Sequence, residues 1–231
     1  MTEADVDVQR EAYASETTID SDPFGLFSRD NRNHRKKYDL ITDRMAADAG
    51  DHVLEVGCGH GLHAREYDAD YRYTGVDLSP SLVEECNARI QTGQAFEMDA
   101  LELPFGTDLF DSVVGTAILH HLPDARAALR EWVRVTRPGG SVTVMEPNYL
   151  FPKDLITAHV VDEEQHKTQM APWRLRRDLD AVAGSWTFEH HIVTPPWPAS
   201  LAPVYDRIDD VCASLPGVRA LSQMLLIHID V

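Results

Sequence analysis

Val53-Leu54-Glu55-Val56-Gly57-Cys58-Gly59-His60-Gly61 runs a short hydrophobic strand straight into glycines at every second position, ahead of a stretch that reads as a helix. Glycine reaches backbone conformations closed to other residues and lets a ligand approach where a Cβ would block it, while a helix start offers free N–H groups. This strand, turn and helix sets a ligand at the carboxyl end of the first strand of an open α/β sheet. A dinucleotide-binding turn, G-x-G-x-x-G/A, has the same outline but needs Gly or Ala at position 62, where this chain has Leu62. Glu55, two residues before the first glycine, also stands where a dinucleotide-binding strand is apolar. The two departures disfavour a nicotinamide-dependent oxidoreductase.

Outward from this turn the chain alternates. Strands are expected at 52–56, 71–76, 94–98, 111–116 and 141–146, with helices running to about Glu66, over 79–91 and from Asp124 to Val135, and a turn at Arg137-Pro138-Gly139-Gly140. Short β-branched and aromatic runs separated by helical stretches make βαβ units with right-handed crossovers, hence a parallel sheet. Before them, Tyr38, Ile41, Met45 and Ala49 space an amphipathic helix over about 31–49, closed by Gly50. After Pro147 the texture turns to Pro, His and aromatic residues, with a helix near 174–183 and strands at 186–193 and 223–231 expected to pair antiparallel at a sheet edge. Residues 1–23 are polar and without period, within an N-terminal arm over 1–30 ahead of one domain over 31–231 in which 147–222 carries the insertions.

Two acidic residues end successive strands on the same side as the glycines. Asp77 is placed to accept both hydroxyls of a ribose, because Ser79-Pro80 already supplies the cap and first turn of the next helix, and Leu78 would lie on an adenine face. Asp99, followed by Ala100, can accept from an adenine amino group beside an apolar wall. Three such features at the ends of three strands point into one crevice.

VLEVGCGHG, VDLS, MDALELPF, FDSVVGTAILHHLPD and RPGGSVTVMEPN resemble, in order and spacing, the motifs of class I S-adenosylmethionine-dependent methyltransferases, in particular the small-molecule branch called type 11. The resemblance covers residues 34–147 and implies a Rossmann-like α/β sheet of seven strands, order 3-2-1-4-5-7-6, the last antiparallel. It implies S-adenosylmethionine as cofactor, its methionine part at Glu55, Gly57, Cys58, Gly59 and Gly61, its ribose at Asp77 and its adenine at Leu78, Asp99 and Ala100. Thr116 and Ala117 fall beside the sulfonium, where small side chains leave room for in-line transfer. His120 is expected to face the acceptor and His121 to make a structural hydrogen bond at the head of the next helix. Methyl transfer needs little beyond alignment, since the sulfonium is already a strong electrophile. Where the acceptor is a hydroxyl or phenol, His120 or Glu146 could take its proton.

Composition narrows the partners. The net charge of -17, from 38 acidic and 21 basic residues, repels phosphate backbones and so disfavours nucleic acid. The acidic excess, with lysine only at 36, 37, 153 and 167, suits a high-salt cytoplasm, where screening removes the self-repulsion. No run of about 18 apolar residues or basic-then-apolar leader occurs, so neither a membrane span nor a secretory signal is expected. Cys58, Cys86 and Cys212 read as reduced thiols, and the spacing of His159, Glu163 and His166 reads as a helix surface rather than a metal site. His190 and His191, adjacent in a strand, point to opposite faces. Trp173, Trp186, Phe188 and Trp197 are candidates for an aromatic acceptor pocket or for core packing. The expectation is a monomeric or homodimeric enzyme that methylates an O, N or C atom of a small acceptor, with a non-catalytic cofactor-binding subunit as the rival.

Overall fold

The computed structural model describes residues 32–152, 168–191, 202–220 and 222–231. Seven strands form one sheet in the order β3-β2-β1-β4-β5-β7-β6: β1 is His52–Val56, β2 Arg72–Asp77, β3 Gln94–Glu97, β4 Phe110–Thr116, β5 Thr136–Pro147, β6 Ser185–His191 and β7 Met224–Asp230. The first five are parallel, and β7 lies antiparallel between β5 and β6. Helices α1 (Arg32–Thr42), α2 (Ala64–Asp70), α3 (Pro80–Asn87), α4 (Ala125–Val135), α5 (Pro172–Asp180), α6 (Ala202–Ser214) and α7 (Pro216–Arg219) complete the described elements. None of them is long and apolar enough to cross a membrane.

Each face of the sheet buries its own core. On one, Leu54, Val113, Val142 and Ile227 meet α4, whose Ala125, Ala128, Leu129, Trp132 and Val135 recur at helical spacing. Asp124 Oδ1 caps that helix by accepting the Ala127 amide at 3.0 Å. On the other, Val53, Val114 and Met145 pack against Ile41 of α1 and Tyr67 of α2. Central strands buried on both sides therefore read as continuous apolar runs rather than alternating ones.

Several boundaries differ from the expectation for local reasons. The helix after the glycines starts only at Ala64, because Gly57, Gly59 and Gly61 all take positive φ and hold the chain out of the helical region. Helix α1 ends at Thr42, whose hydroxyl bonds the carbonyls of Tyr38 and Asp39. Arg137-Pro138-Gly139-Gly140 is an irregular stretch of β5 rather than a separate turn, since the β4–β5 register shifts between Phe110 and Ser112 while Gly139 sits at φ +81°.

The turn between α3 and β3 hangs on one carboxylate. Asp68 accepts the amides of Gln91 at 2.6 Å and Thr92 at 3.1 Å, the amide of Gly93, and the Thr92 hydroxyl at 2.7 Å. Burial by itself raises this carboxyl, but the four donors outweigh it and bring its pKa below the ordinary value. A depressed carboxyl contributes stability that is present above its unfolded pKa and lost as pH falls through the folded one. Asp68→Ala is therefore expected to cost about 2–4 kcal/mol in urea unfolding at neutral pH. The gap should close as pH drops below the ordinary carboxylate range, and a gap that persisted there would assign the loss to packing instead.

Candidate active site

At the carboxyl ends of β1, β2, β3 and β4 lies an open crevice, about 800 Å³ with the solvent at its mouth included, lined by Gly57, Gly59, Val76, Asp77, Leu78, Leu82, Met98, Asp99, Ala100, Ala117, Ile118, His121 and Leu122. Its floor is the glycine turn, stitched to β2 by the Gly57 and Cys58 amides, which donate to the Val76 carbonyl at 2.8 and 3.0 Å. A Cβ on Gly57 would stand 2.9 Å from the Ile118 side chain, and one on Gly61 3.0 Å from Cys86 Cα. Both glycines, at φ +72° and +80°, are required by space as well as by conformation.

Asp77 closes the turn from the side. Its Oδ1 accepts the Ser79 amide and its Oδ2 the Gly59 amide, each at 2.9 Å, so each oxygen keeps lone-pair capacity for a further donor. Burial pushes its carboxyl up, against the pull of those amides. A buried carboxylate with spare acceptor capacity beside a glycine cradle fits a diol such as the ribose of S-adenosylmethionine. Asp99 turns its Oδ1 to the Leu101 amide at 2.9 Å, and Trp132 fixes the next residue by donating from Nε1 to the Ala100 carbonyl at 3.0 Å. Leu78, Met98 and Leu122 make the apolar walls that a purine ring needs.

The far wall is strained and anchored. Ala117 sits at φ +56°, unusual for a residue with a side chain, and its amide donates to the Met145 carbonyl at 2.8 Å. The next three residues hang on Glu146, fully buried, whose Oε1 accepts the Ile118 and Leu119 amides at 2.8 and 2.7 Å and whose Oε2 lies 2.7 Å from His120 Nδ1. A carboxylate so engaged is first an anchor for this loop.

Of the residues expected from sequence, Gly57, Gly59, Asp77, Leu78, Asp99, Ala100 and Ala117 line the crevice. Glu55 lies beneath it, buried, with Tyr73 Oη donating to its Oε2 at 2.8 Å, and burial holds its carboxyl well above the usual range. Cys58 is buried, and neither it, Gly61 nor Thr116 is among the lining residues. The two histidines exchange places relative to the expectation: His120 is the buried partner of Glu146 and His121 the one at the wall, their rings 3.8 Å apart. In the short 3-10 turn at Leu119–His121, adjacent side chains point about a third of a turn apart, and it is His120 that faces Glu146.

The aromatic candidates separate as well. Trp186 and Phe188 carry the Arg176 guanidinium over their rings, while Trp173 stands 59% exposed against Tyr149, and Trp197 lies outside the described residues. His190 Nδ1 meets Ser222 Oγ and His191 faces Glu189. His159, Glu163 and His166 fall outside the described residues, among which no group of side chains could hold a metal ion. Cys58, Cys86 and Cys212 are free thiols.

Residues 54–144 match the model of the methyltransferase domain family of type 11. The chain is 37% identical over 116 residues to a 27-O-demethylrifamycin SV methyltransferase of Amycolatopsis mediterranei, a match that takes in 45% of this chain and 43% of that protein. The chain spans between 15% and 57% of the length of the curated relatives it matches. An S-adenosylmethionine-dependent methyltransferase from Mesorhizobium loti shares the fold at TM-score 0.62 and 15% identity, over 87% of this chain and 99% of that one. A Haloferax volcanii protein solved in complex with the Trm112 methyltransferase activator does so at TM-score 0.61 and 18% identity, over 100% and 98%. With the seven-stranded order, the glycine turn and the two strand-end carboxylates in place, residues 54–144 of this chain are a methyltransferase domain of the class I, type 11 family.

Proposed function

We propose that the protein transfers a methyl group from S-adenosylmethionine to a small-molecule acceptor, with a hydroxyl or phenol oxygen as the receiving atom. The observation that carries this reading is the crevice, in which Asp77 keeps acceptor capacity beyond the Gly59 and Ser79 amides beside the glycine turn, between apolar walls. The oxygen acceptor draws support from the likeness to the 27-O-demethylrifamycin SV methyltransferase. Small molecules are favoured over nucleic acid by the net charge of -17.

When bound, the cofactor supplies the electrophilic methyl carbon. The protein's own contribution is alignment: Asp77 and Asp99 fix the nucleoside, the wall from Ala117 to Leu122 bounds the acceptor side, and Glu146 holds that wall in register. We assign the acceptor's hydroxyl proton to His121, which lines the wall, with His120 held by its Nδ1 at Glu146. Alignment alone accounts for a large share of rate in reactions of this type. Segments 1–30 and 147–222 are assigned to the acceptor's enclosure, and a cytoplasmic, salt-adapted protein acting as monomer or homodimer completes the reading.

The expected result is micromolar binding of S-adenosylhomocysteine by isothermal titration in molar KCl, and release of S-adenosylhomocysteine when the chain is incubated with S-adenosylmethionine and a panel of phenols and alcohols. A folded chain that binds neither nucleoside would reject the reading outright. Binding without turnover on phenols, alcohols, amines and carboxylic acids would favour the non-catalytic subunit.

A further inference from the structure

The crevice wall from Ala117 to Leu122 is held at its first end by Glu146. Its other end stands on a residue from a distant part of the chain. Within the 3-10 turn the His121 and Leu122 amides bond back to the Ile118 and Leu119 carbonyls, at 3.0 and 3.2 Å. Leu122 then leaves in an extended conformation, at ψ 144°, and Ala125 opens α4. The Leu122 carbonyl and the Ala125 amide thus fall outside both sets of repeating backbone bonds, although Leu122 is only 8% exposed and Ala125 only 1%. Asp124 caps α4 through the Ala127 amide and leaves that of Ala125 to another acceptor.

Gln169 serves both groups. Its Oε1 accepts the Ala125 amide at 3.0 Å and its Nε2 donates to the Leu122 carbonyl at 2.8 Å, spanning the exposed Pro123-Asp124 between them. Among side chains of this length, only glutamine carries an acceptor and a donor on one carbon at neutral pH. A carboxylate of the same shape would turn a second acceptor on the Leu122 carbonyl. The chain behind Gln169 is well packed. Met170 and Ala171 are buried, and Met170 and Leu175 belong to the core that also holds Leu119, Leu122 and Leu129. Arg126 Nε lies 3.6 Å from Asp178 Oδ1 and ties α4 to α5.

We propose that Gln169 is a positioning residue of the crevice, its side-chain amide latching the wall so that His121 and Leu122 keep their places against nucleoside and acceptor. The inference deepens the methyltransferase reading and rests on it for the identity of the ligand. Without the latch the wall relaxes in the free chain, a ligand binds only the fraction of molecules with the wall in place, and apparent affinity falls by that fraction. Two neutral hydrogen bonds, each worth about a factor of five, set the ceiling at about 25-fold.

The test compares the native chain with Gln169→Ala and Gln169→Glu by titration with S-adenosylhomocysteine, well below the unfolding midpoint, from neutral to mildly acidic pH. Both variants are expected to bind about 5- to 25-fold more weakly at neutral pH. On acidification the carboxyl introduced by Gln169→Glu takes up a proton, and its hydroxyl then donates to the Leu122 carbonyl while its other oxygen accepts from Ala125. The affinity of that variant relative to the native chain should therefore recover, while that of Gln169→Ala stays low. A merely structural role moves neither ratio, because a folded chain with its wall in place binds at native affinity whatever its margin of stability. Native affinity in both variants, even with a lowered midpoint, overturns the proposal, and so does a Gln169→Glu ratio that ignores pH. A native chain that fails to bind S-adenosylhomocysteine rejects instead the methyltransferase reading. Exchange of the Ala125 amide with deuterium, slow in that chain and fast in Gln169→Ala, would then leave the latch standing without it, whereas equal exchange would remove both.

Discussion

Asp77→Ala is expected to weaken S-adenosylhomocysteine binding by at least about 100-fold while leaving the chain folded. Two ribose hydroxyls donating to an ionised carboxylate are worth about 1.5–3 kcal/mol each, so losing both removes about 3 kcal/mol or more, and about 1.4 kcal/mol is a factor of ten. The same substitution frees the Gly59 and Ser79 amides that the carboxylate holds, which loosens the floor of the crevice as well. Stability moves much less. The cap-like contact to Ser79 is worth about 1 kcal/mol, but the buried carboxyl has a raised pKa, and a carboxylate that is harder to ionise when folded than when unfolded subtracts stability above its unfolded pKa. The two changes oppose each other. Asp77→Asn keeps one acceptor oxygen and is expected to fall between, at about a tenfold loss.

The sign of the pH dependence follows from the same carboxyl. Only its ionised form accepts from both hydroxyls, and burial has raised its pKa in the free protein, so affinity is expected to be full at neutral pH and to fall on acidification earlier than an ordinary Asp would allow. Titration across mildly acidic pH would show that fall in the native chain and none in Asp77→Ala. Equal pH dependence in both would place the titrating group elsewhere.

What sequence could show depended on whether a residue's role is set by its own strand and turn. Gly57, Gly59, Asp77, Asp99 and Ala100 were legible because each ends a strand of a regular βαβ alternation, and strand ends on one sheet edge share one crevice. The packing of His34 and Tyr38 on His63 was not, since it depends on how α1 lies across the sheet, which no local pattern encodes. Paired histidines in a 3-10 turn were misplaced for a related reason, because one residue of rotation decides which ring is buried. Val76, Leu82, Met98, Ile118 and Leu122 also line the crevice, and an apolar side chain carries no mark in the sequence that its neighbour is a ligand. A signal for Glu146 did exist, as an acidic residue closing an otherwise apolar strand, but only the structure shows the amides that it collects.

Glu146 carries the second large effect. Replacing it by Ala strands the Ile118 and Leu119 amides and His120 Nδ1 in a site without solvent, and breaking such a buried network costs about 3–5 kcal/mol. For a chain of this size that corresponds to a fall of about 10 °C in unfolding midpoint. The wall formed by Ile118, His121 and Leu122 loses its anchor with it, so nucleoside affinity is expected to drop too, although Glu146 is not among the residues lining the crevice. Glu146→Gln separates the anchor from the charge. Its carbonyl oxygen can still accept the two amides, and its NH₂ can donate to His120 once that ring changes tautomer, so most of the stability and nucleoside affinity should return. Turnover is then the discriminating measurement. If Glu146 serves the acceptor's proton through His120, Glu146→Gln and His120→Ala should both lose the low-pH limb of the rate profile and slow turnover by about 100-fold or more. If alignment suffices, Glu146→Gln should turn over within a few-fold of the native chain. The four hydrogen-bonding atoms gathered by one fully buried carboxylate, and the placement of His121 rather than His120 at the wall, make the anchor the expected outcome. A Glu146→Gln variant with native midpoint and native cofactor affinity but little turnover would reverse that assignment and make the His120–Glu146 pair the proton acceptor.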